Sequence, residues 1–497
     1  MRMSRRTFFK GAVVATAMAA TASGAAACSD QPTPRGADAD ARPLRIPPLY
    51  EGTLDGNVRS FELAAQEGEF EMVPGTMTKT WGFNGPYQGP TLFMRRGERI
   101  DMTVRNELPE ATVVHWHGLH LPASADGGPA LMFPPGESWS PSWTVDQPAA
   151  TCWYHPHPRG KSAVHAYRGL AGAIVLDDDD SAFPGLPNDY GVDDIPVIIT
   201  DDANFTEDGQ LDAEHGWVGD TVLVNGMTKT RFEATTRRLR LRVLNGATMR
   251  FHHLSLGVPF QIVATDQGFL DAPVEVDGVL LSPGERVEIV VDLKPGKDLK
   301  LRSDGVPDLG GLPDKDTAEI FGLTDKFDLL EIAAPPEDAP AYPALPGALV
   351  PVDAPSPDTV TIEREFRMKN MEINGKTMDM LRVDEVVDHN GPEIWHVSND
   401  NEDMMHNFHI HDARFAVIGV DNGELEFTSG WHDTITVPPL ATVSLLVEIG
   451  YYPDPTLPYM YHCHMLNHED QGMMGQFVVV EPGQQPDLAK PSPYAMH

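Results

Sequence analysis

The sequence predicts an all-β protein made of three successive sandwich-like blocks. Three observations carry that expectation. Several stretches alternate apolar and polar residues with the period of two that a half-buried strand requires. Gly and Pro, at 44 each, favour many short turns over helical bundles. No long helical periodicity competes. With 41 % hydrophobic residues the chain has material for real cores, and its 497 residues leave room for about three domains of ~150 residues each.

The N-terminus reads as a targeting segment. Ser4-Arg5-Arg6-Thr7-Phe8-Phe9-Lys10 is a twin-arginine motif, followed by an Ala-rich apolar run from Gly11 to Ala27. That run is short and weakly hydrophobic for a membrane span, so residues 1–28 are excluded from the fold. The twin-arginine machinery carries proteins folded, and the expected destination is the periplasm or the outer face of the cell envelope. Cys28 follows Gly24-Ala25-Ala26-Ala27, which resembles a lipoprotein cleavage box with Ala25 where Leu is usual. Lipid attachment at Cys28 and simple cleavage after Ala-x-Ala are both compatible with it. Residues 29–43 are too polar to pack and are expected to form a tether.

The first block spans 44–180. Its clearest strand is Arg99–Leu108, with Ile100, Met102 and Val104 on one face; its last is Gly172–Leu176, before the acidic run Asp177–Asp180. The middle block, 181–335, alternates at Leu239–Val243 and, less strictly, at Val287–Leu293. Adjacent His252 and His253 would fall on opposite faces of any strand and are expected to be structural. A linker rich in Pro and Ala occupies 336–356. The third block, 357–497, alternates at Val443–Val447.

Chemistry concentrates in the first and third blocks. His462-Cys463-His464 is followed by His468 and Met473. On an extended segment Cys463 faces one way and its two neighbours the other, so the three can serve two different metal sites. A Cys thiolate, two imidazoles and a weak thioether make a blue-copper electron-transfer site. Cys463, His468 and Met473 would supply three of these, the remaining imidazole coming from elsewhere in the chain. His115-Trp116-His117, His155-Pro156-His157 and His406-Asn407-Phe408-His409-Ile410-His411 add paired imidazoles at i, i+2 spacing, suited to sharing a small metal cluster. The middle block has no such pair and would space the other two so that their faces meet. Of the remaining cysteines, Cys152 is expected to be a buried free thiol, and Cys28 has no evident disulfide partner. The net charge of −36 excludes nucleic acid as a partner.

The stretches "HWHGLHLPASADGGPALMFPPGES", "DQPAATCWYHPHPRGKSA", "HNFHIHDARF" and "YHCHMLNHEDQGMMGQF" resemble the multicopper oxidases, most closely the bacterial periplasmic copper-efflux oxidase and laccase branch. The resemblance covers roughly residues 44–482. Asn407 departs from it, standing where Pro is usual. The resemblance implies three cupredoxin-like Greek-key sandwiches and four copper ions. It implies a type 1 copper on His406, Cys463 and His468 with Met473 axial, and a type 2 copper on His115 and His409. The two type 3 coppers would take His117, His155 and His464, and His157, His411 and His462. The implied activity is one-electron oxidation of a donor coupled to four-electron reduction of O2 to water. Asp126 and Glu469 match the family's proton-relay positions, and either could instead anchor a ligand imidazole. Electrons would enter through an exposed edge of His468, from phenols, aromatic amines or Cu(I).

Asp403-Met404-Met405 resembles the efflux branch's Cu(I) site, one residue shorter before the His, with Met368, Met371, Met378 and Met380 on the approach. Thioethers select Cu(I), but Met also fills cores. The long Met/His-rich insert of some relatives is absent. A copper-buffering protein without turnover, and a structural relative of the cell-division type that has lost its ligands, are the other functions weighed. A two-domain nitrite reductase is excluded by the third block. A monomer is expected.

Overall fold

A computed structural model of the chain describes residues 40–200, 210–211, 218–389 and 391–496. The twin-arginine segment, Cys28 and tether residues up to 39 lie outside the described residues. The architecture is all-β, with three cupredoxin-like bodies. In the first, a six-stranded sheet built on Val58–Val73 and Arg99–Glu107 faces a five-stranded sheet in the order Leu49–Tyr50, Thr91–Arg95, Gly172–Asp177, Ala150–Pro156, Val114–His115. Phe61, Leu63, Ile100, Met102 and Val104 from one sheet and Leu92, Met94, Tyr154, Ile174 and Leu176 from the other share a core. The alternation anticipated for Arg99–Leu108 is the cause: its apolar face is inside and its charged face out.

The third body repeats the plan with two five-stranded sheets. One is ordered Glu385–Asp388, Met474–Val480, Asp454–His462, His406–Ile410, Thr434–Val437. The middle body is a single ten-stranded sheet whose strands close around one core.

Two features differ from expectation. The tether expected over 29–43 ends earlier, because Arg42–Pro43 pairs in parallel with Thr230–Arg231 of the middle sheet and Leu44 enters that sheet's core. The first body's chain thus begins on the second. Likewise, the linker at 336–356 is strapped down: the amides of Leu349 and Val350 donate to Asp271 and Leu270 carbonyls at 2.7 and 3.1 Å. Among the described residues no helix is long and apolar enough to cross a membrane.

Candidate metal centre

Strand register brings the histidines together. Val114–His115 pairs antiparallel with Ala150–Pro156, which sets His155 opposite His115. His406–Ile410 pairs antiparallel with Asp454–His462, which sets His409 opposite His462. These two sheet ends, one from the first body and one from the third, face each other. The ten candidate histidines are all buried, none more than 3 % exposed.

Which nitrogen of each ring points inward follows from what holds the other. A carbonyl can only accept, so a ring nitrogen bonded to one carries the proton and its partner nitrogen keeps a lone pair. His115 Nδ1 donates to the Asp126 carbonyl at 2.9 Å and His409 Nδ1 to the Asp433 carbonyl at 2.8 Å. Both Nε2 atoms are left buried with no hydrogen-bond partner. His462 Nδ1 donates to the Cys463 carbonyl at 3.1 Å and His411 Nδ1 to Asp126 Oδ2 at 2.8 Å. Their Nε2 atoms, both lone-pair bearing, then face each other at 3.3 Å. His157 Nε2 lies 3.4 Å from the same His462 atom, and His464 Nε2 lies 3.4 Å from His155 Nε2. Converging lone pairs in a dry site repel unless a cation sits between them. Burial and neighbouring rings also keep His117, His157 and His462 well below the ordinary imidazole pKa, so they are neutral donors at pH 7.

A second group lies in the third body's core. Cys463 Sγ is 3.7 Å from His406 Nδ1 and 3.6 Å from His468 Nδ1. Burial lowers His468 to about 4 and pushes the Cys463 thiol up to about 12. An unliganded Cys463 therefore stays protonated, and it is a coordinated metal ion that draws out a thiolate. Met473 is fully buried in the same core, and its carbonyl accepts the Cys463 amide at 3.2 Å. The stretch between them contains a short helix, Leu466–Asp470.

Each trio His157–His411–His462, His115–His409–His411, His115–His117–His155 and His406–Cys463–His468 brings its donor atoms within 4.8 Å of one another and could hold an ion. The donors match copper: imidazoles for the cluster, and thiolate with imidazoles for the separate site. His252 and His253 bond instead to Ser303 and Glu426, and belong to none of these groups.

The carboxyls expected near the cluster are there. Asp126 ends a short helix capped by Gly127, whose φ of 83° and closeness to the Val114 carbonyl, 1.8 Å from where a Cβ would lie, leave no room for a side chain. Glu469 lies 3.3 Å from His157 Nδ1 and 3.4 Å from His462 Nδ1. Burial and then Asp470 raise its pKa well above the ordinary value.

Around the separate site, Asp403 is exposed and Met404 half-buried. Met405 is buried, its thioether 3.3 Å from the position of a Cβ on Gly310. Met368 belongs to the third body's core, and Met378 and Met380 pack with Met132, Met460 and Met474. The exposed edge expected of His468 shrinks to 3 % of the residue, because its short helix is packed into the core.

Sequence reasoning missed two partners. From the sequence, Asn407 is only a departure from the family pattern, at a position that is not itself a ligand. Its Oδ1 accepts the His464 amide at 2.7 Å and lies 3.5 Å from Cys463 Sγ, while its Nδ2 donates to Ser282 Oγ and the Pro283 carbonyl. Its replacement of the usual Pro was the available signal. Asp433 had none: it accepts from His117 Nε2 at 2.9 Å across 316 residues of chain. Cys152 is a buried free thiol, as anticipated.

Residues 64–181 and 350–483 each match a multicopper oxidase family profile. The multicopper oxidase mco of Staphylococcus aureus is 34 % identical over 451 residues, covering 88 % of this chain and 92 % of that protein. The cell division protein FtsP of Yersinia pestis is 35 % identical over 493 residues, covering 97 % and 99 %. Among solved structures, a multi-copper oxidase from Pediococcus acidilactici superimposes with a TM-score of 0.80 at 31 % identity, covering 91 % of this chain and 94 % of the other.

Proposed function

Because this chain belongs to the multicopper oxidase family, we propose that it is an oxidase with four copper ions, coupling one-electron oxidation of Cu(I) and of phenolic or aromatic-amine donors to reduction of O2 to water. The observation that carries this is the pair of lone-pair nitrogens on His411 and His462, 3.3 Å apart, with the unpartnered Nε2 atoms of His115 and His409 in the same buried cluster. In this reading His406, Cys463, His468 and Met473 would hold the type 1 ion. His115 and His409 hold the type 2 ion; His117, His155 and His464 hold one type 3 ion, and His157, His411 and His462 the other.

Copper bound there supplies the electron acceptor and the O2-reducing cluster, chemistry no side chain performs. The protein's own residues orient and protonate. Asp126 holds the proton of His411 on Nδ1, aiming its lone pair inward. Glu469, whose pKa burial and Asp470 raise, stands beside His157 and His462 as a proton source. Exposed Asp403 and half-buried Met404 beside His406 support docking of Cu(I), with Met405 as the third member of that site. The twin-arginine stretch supports export to the periplasm or outer envelope face, and the Cys28 box supports a lipid anchor there.

Similarity to the cell-division proteins is as high as to the oxidases, so identity does not choose between an oxidase and a structural role. The complete donor set favours the oxidase. The test is copper loading. The holoprotein should be blue with about four coppers per chain, and Cys463→Ser should abolish the colour while the histidine cluster still binds metal. A colourless, fully loaded wild type would sink the type 1 assignment, and a chain that takes up no copper would favour the structural role.

A further inference from the structure

The middle body carries no candidate ligand, yet it reaches the cluster. We propose that Arg286 is a positioning residue that fixes the tautomer and orientation of His117 through Asp433, so that a body without ligands shapes the His117–His155–His464 corner. This rests on the copper reading above.

Arg286 is fully buried, and all five of its guanidinium donors are used. Nε donates to the Thr151 carbonyl at 3.0 Å, on the strand that carries His155. Nη1 donates to the Gly284 carbonyl at 3.0 Å and to Asp433 Oδ1 at 2.7 Å. Nη2 donates to the Asp266 carbonyl at 2.9 Å and to Asp433 Oδ2 at 2.6 Å. The guanidinium thus joins all three bodies, and its fork grips the Asp433 carboxylate with both oxygens engaged, a geometry Lys cannot reproduce.

Asp433 passes that constraint on. Its Oδ1 accepts from His117 Nε2 at 2.9 Å, and its Oδ2 accepts from Gln267 Nε2 at 2.6 Å. A carboxylate at Nε2 selects the tautomer with the proton there, and it leaves His117 Nδ1 buried and unpartnered, the atom free for a metal. Without the fork, Asp433 would lose two of the donors that hold its orientation toward His117. Thr434 Oγ1 donates to Asp433 Oδ1 at 2.9 Å, so toward His117 Nε2, 3.3 Å away, it can only accept, and it supports the same tautomer.

Two glycines show that room is kept for this arrangement. Gly118, directly after His117, has φ of 89°, and a Cβ there would lie 2.6 Å from Arg286 Nη2. Gly284, in the turn just before Arg286, would place a Cβ 3.0 Å from the His464 ring. One turn of the middle body therefore abuts His464 directly and reaches His117 through Asp433.

Arg242 supplies a control. It is also a buried arginine, at the interface between the first and middle bodies, bonded to Asp194, Glu288 and Thr151 Oγ1, and none of its bonds reaches a histidine or Asp433. The experiment compares copper-loaded wild type, Arg286→Lys, Gln267→Leu and Arg242→Lys by copper content, blue absorption, melting temperature and electron paramagnetic resonance. A coupled type 3 pair is silent in the last. Arg286→Lys should keep the total copper and the blue band but add EPR-visible Cu(II) from an uncoupled pair. Gln267→Leu should do the same to a smaller degree, and it carries the test if Arg286→Lys does not fold. Arg242→Lys should lower the melting temperature with the silent fraction unchanged. The proposal is overturned if the Arg286 and Gln267 variants leave the silent fraction at the wild-type value, or if all three variants change it alike. A wild type with no silent pair would instead overturn the copper reading itself.

Discussion

Asp126 and Glu469 are carboxyls of equal burial, both 1 % exposed, driven in opposite directions by their neighbours. For Asp126, burial alone would raise the pKa, but the His411 and His115 rings outweigh it and hold the group below the ordinary carboxylate value. For Glu469, burial acts first and Asp470 reinforces it, so the carboxyl keeps its proton well above the pH at which a solvated Glu would lose it. One accepts from His411 Nδ1, and the other holds its proton more tightly than a solvated Glu; from sequence they look alike. Asp126→Asn retains an oxygen to accept from His411 Nδ1, so copper content and blue band should persist. Removing a charged group that passes protons should slow O2 reduction by ~10²–10⁴. Reoxidation of the donor-reduced variant in O2, followed by stopped flow, reads this directly. A wild-type rate would leave Asp126 as an anchor alone.

At the scale of elements, what was legible depended on locality. Alternation placed Arg99–Glu107 correctly, because one face of that strand meets the core and the other meets water. The same pattern in Arg238–Asn245 has a different cause: every residue is buried, and Arg240 and Arg242 pair with Asp194 and Glu288 under a covering layer. Those partners lie about fifty residues away, and no local pattern announces them. The HxH pairs were legible because two i, i+2 imidazoles on a strand must share a face. Asp433 and Arg286 were not, since their roles exist only where three bodies meet.

The segment Asp403–Met405, leading into the strand His406–Ile410, carries the element-scale prediction. If it docks Cu(I), replacing Asp403 with Ala and both Met404 and Met405 with Leu removes soft and anionic ligands from the ion while leaving the receiving site intact. The apparent KM for Cu(I) should rise, and that for an uncharged phenol should change far less, measured at matched copper loading. Equal losses for both donors would assign the segment to packing, a role Met405 already shows against Gly310.

Across the whole molecule, the histidine-rich sheet ends of the first and third bodies face each other, and Arg286 of the middle body bonds to both. Cys463 sits between His462 and His464, so under the proposed assignment a few covalent bonds would join the donor-side site to the cluster. The surplus of 73 acidic over 37 basic residues suits cationic donors over anionic ones. The central claim is that electrons entering singly leave together. Its most direct test is the ratio of donor oxidised to O2 consumed by the copper-loaded protein, with hydrogen peroxide assayed in parallel. A four-electron oxidase consumes about four one-electron donor equivalents per O2 and releases no peroxide, as complete reduction to water requires; about two equivalents per O2, with peroxide accumulating, would contradict the four-electron reading.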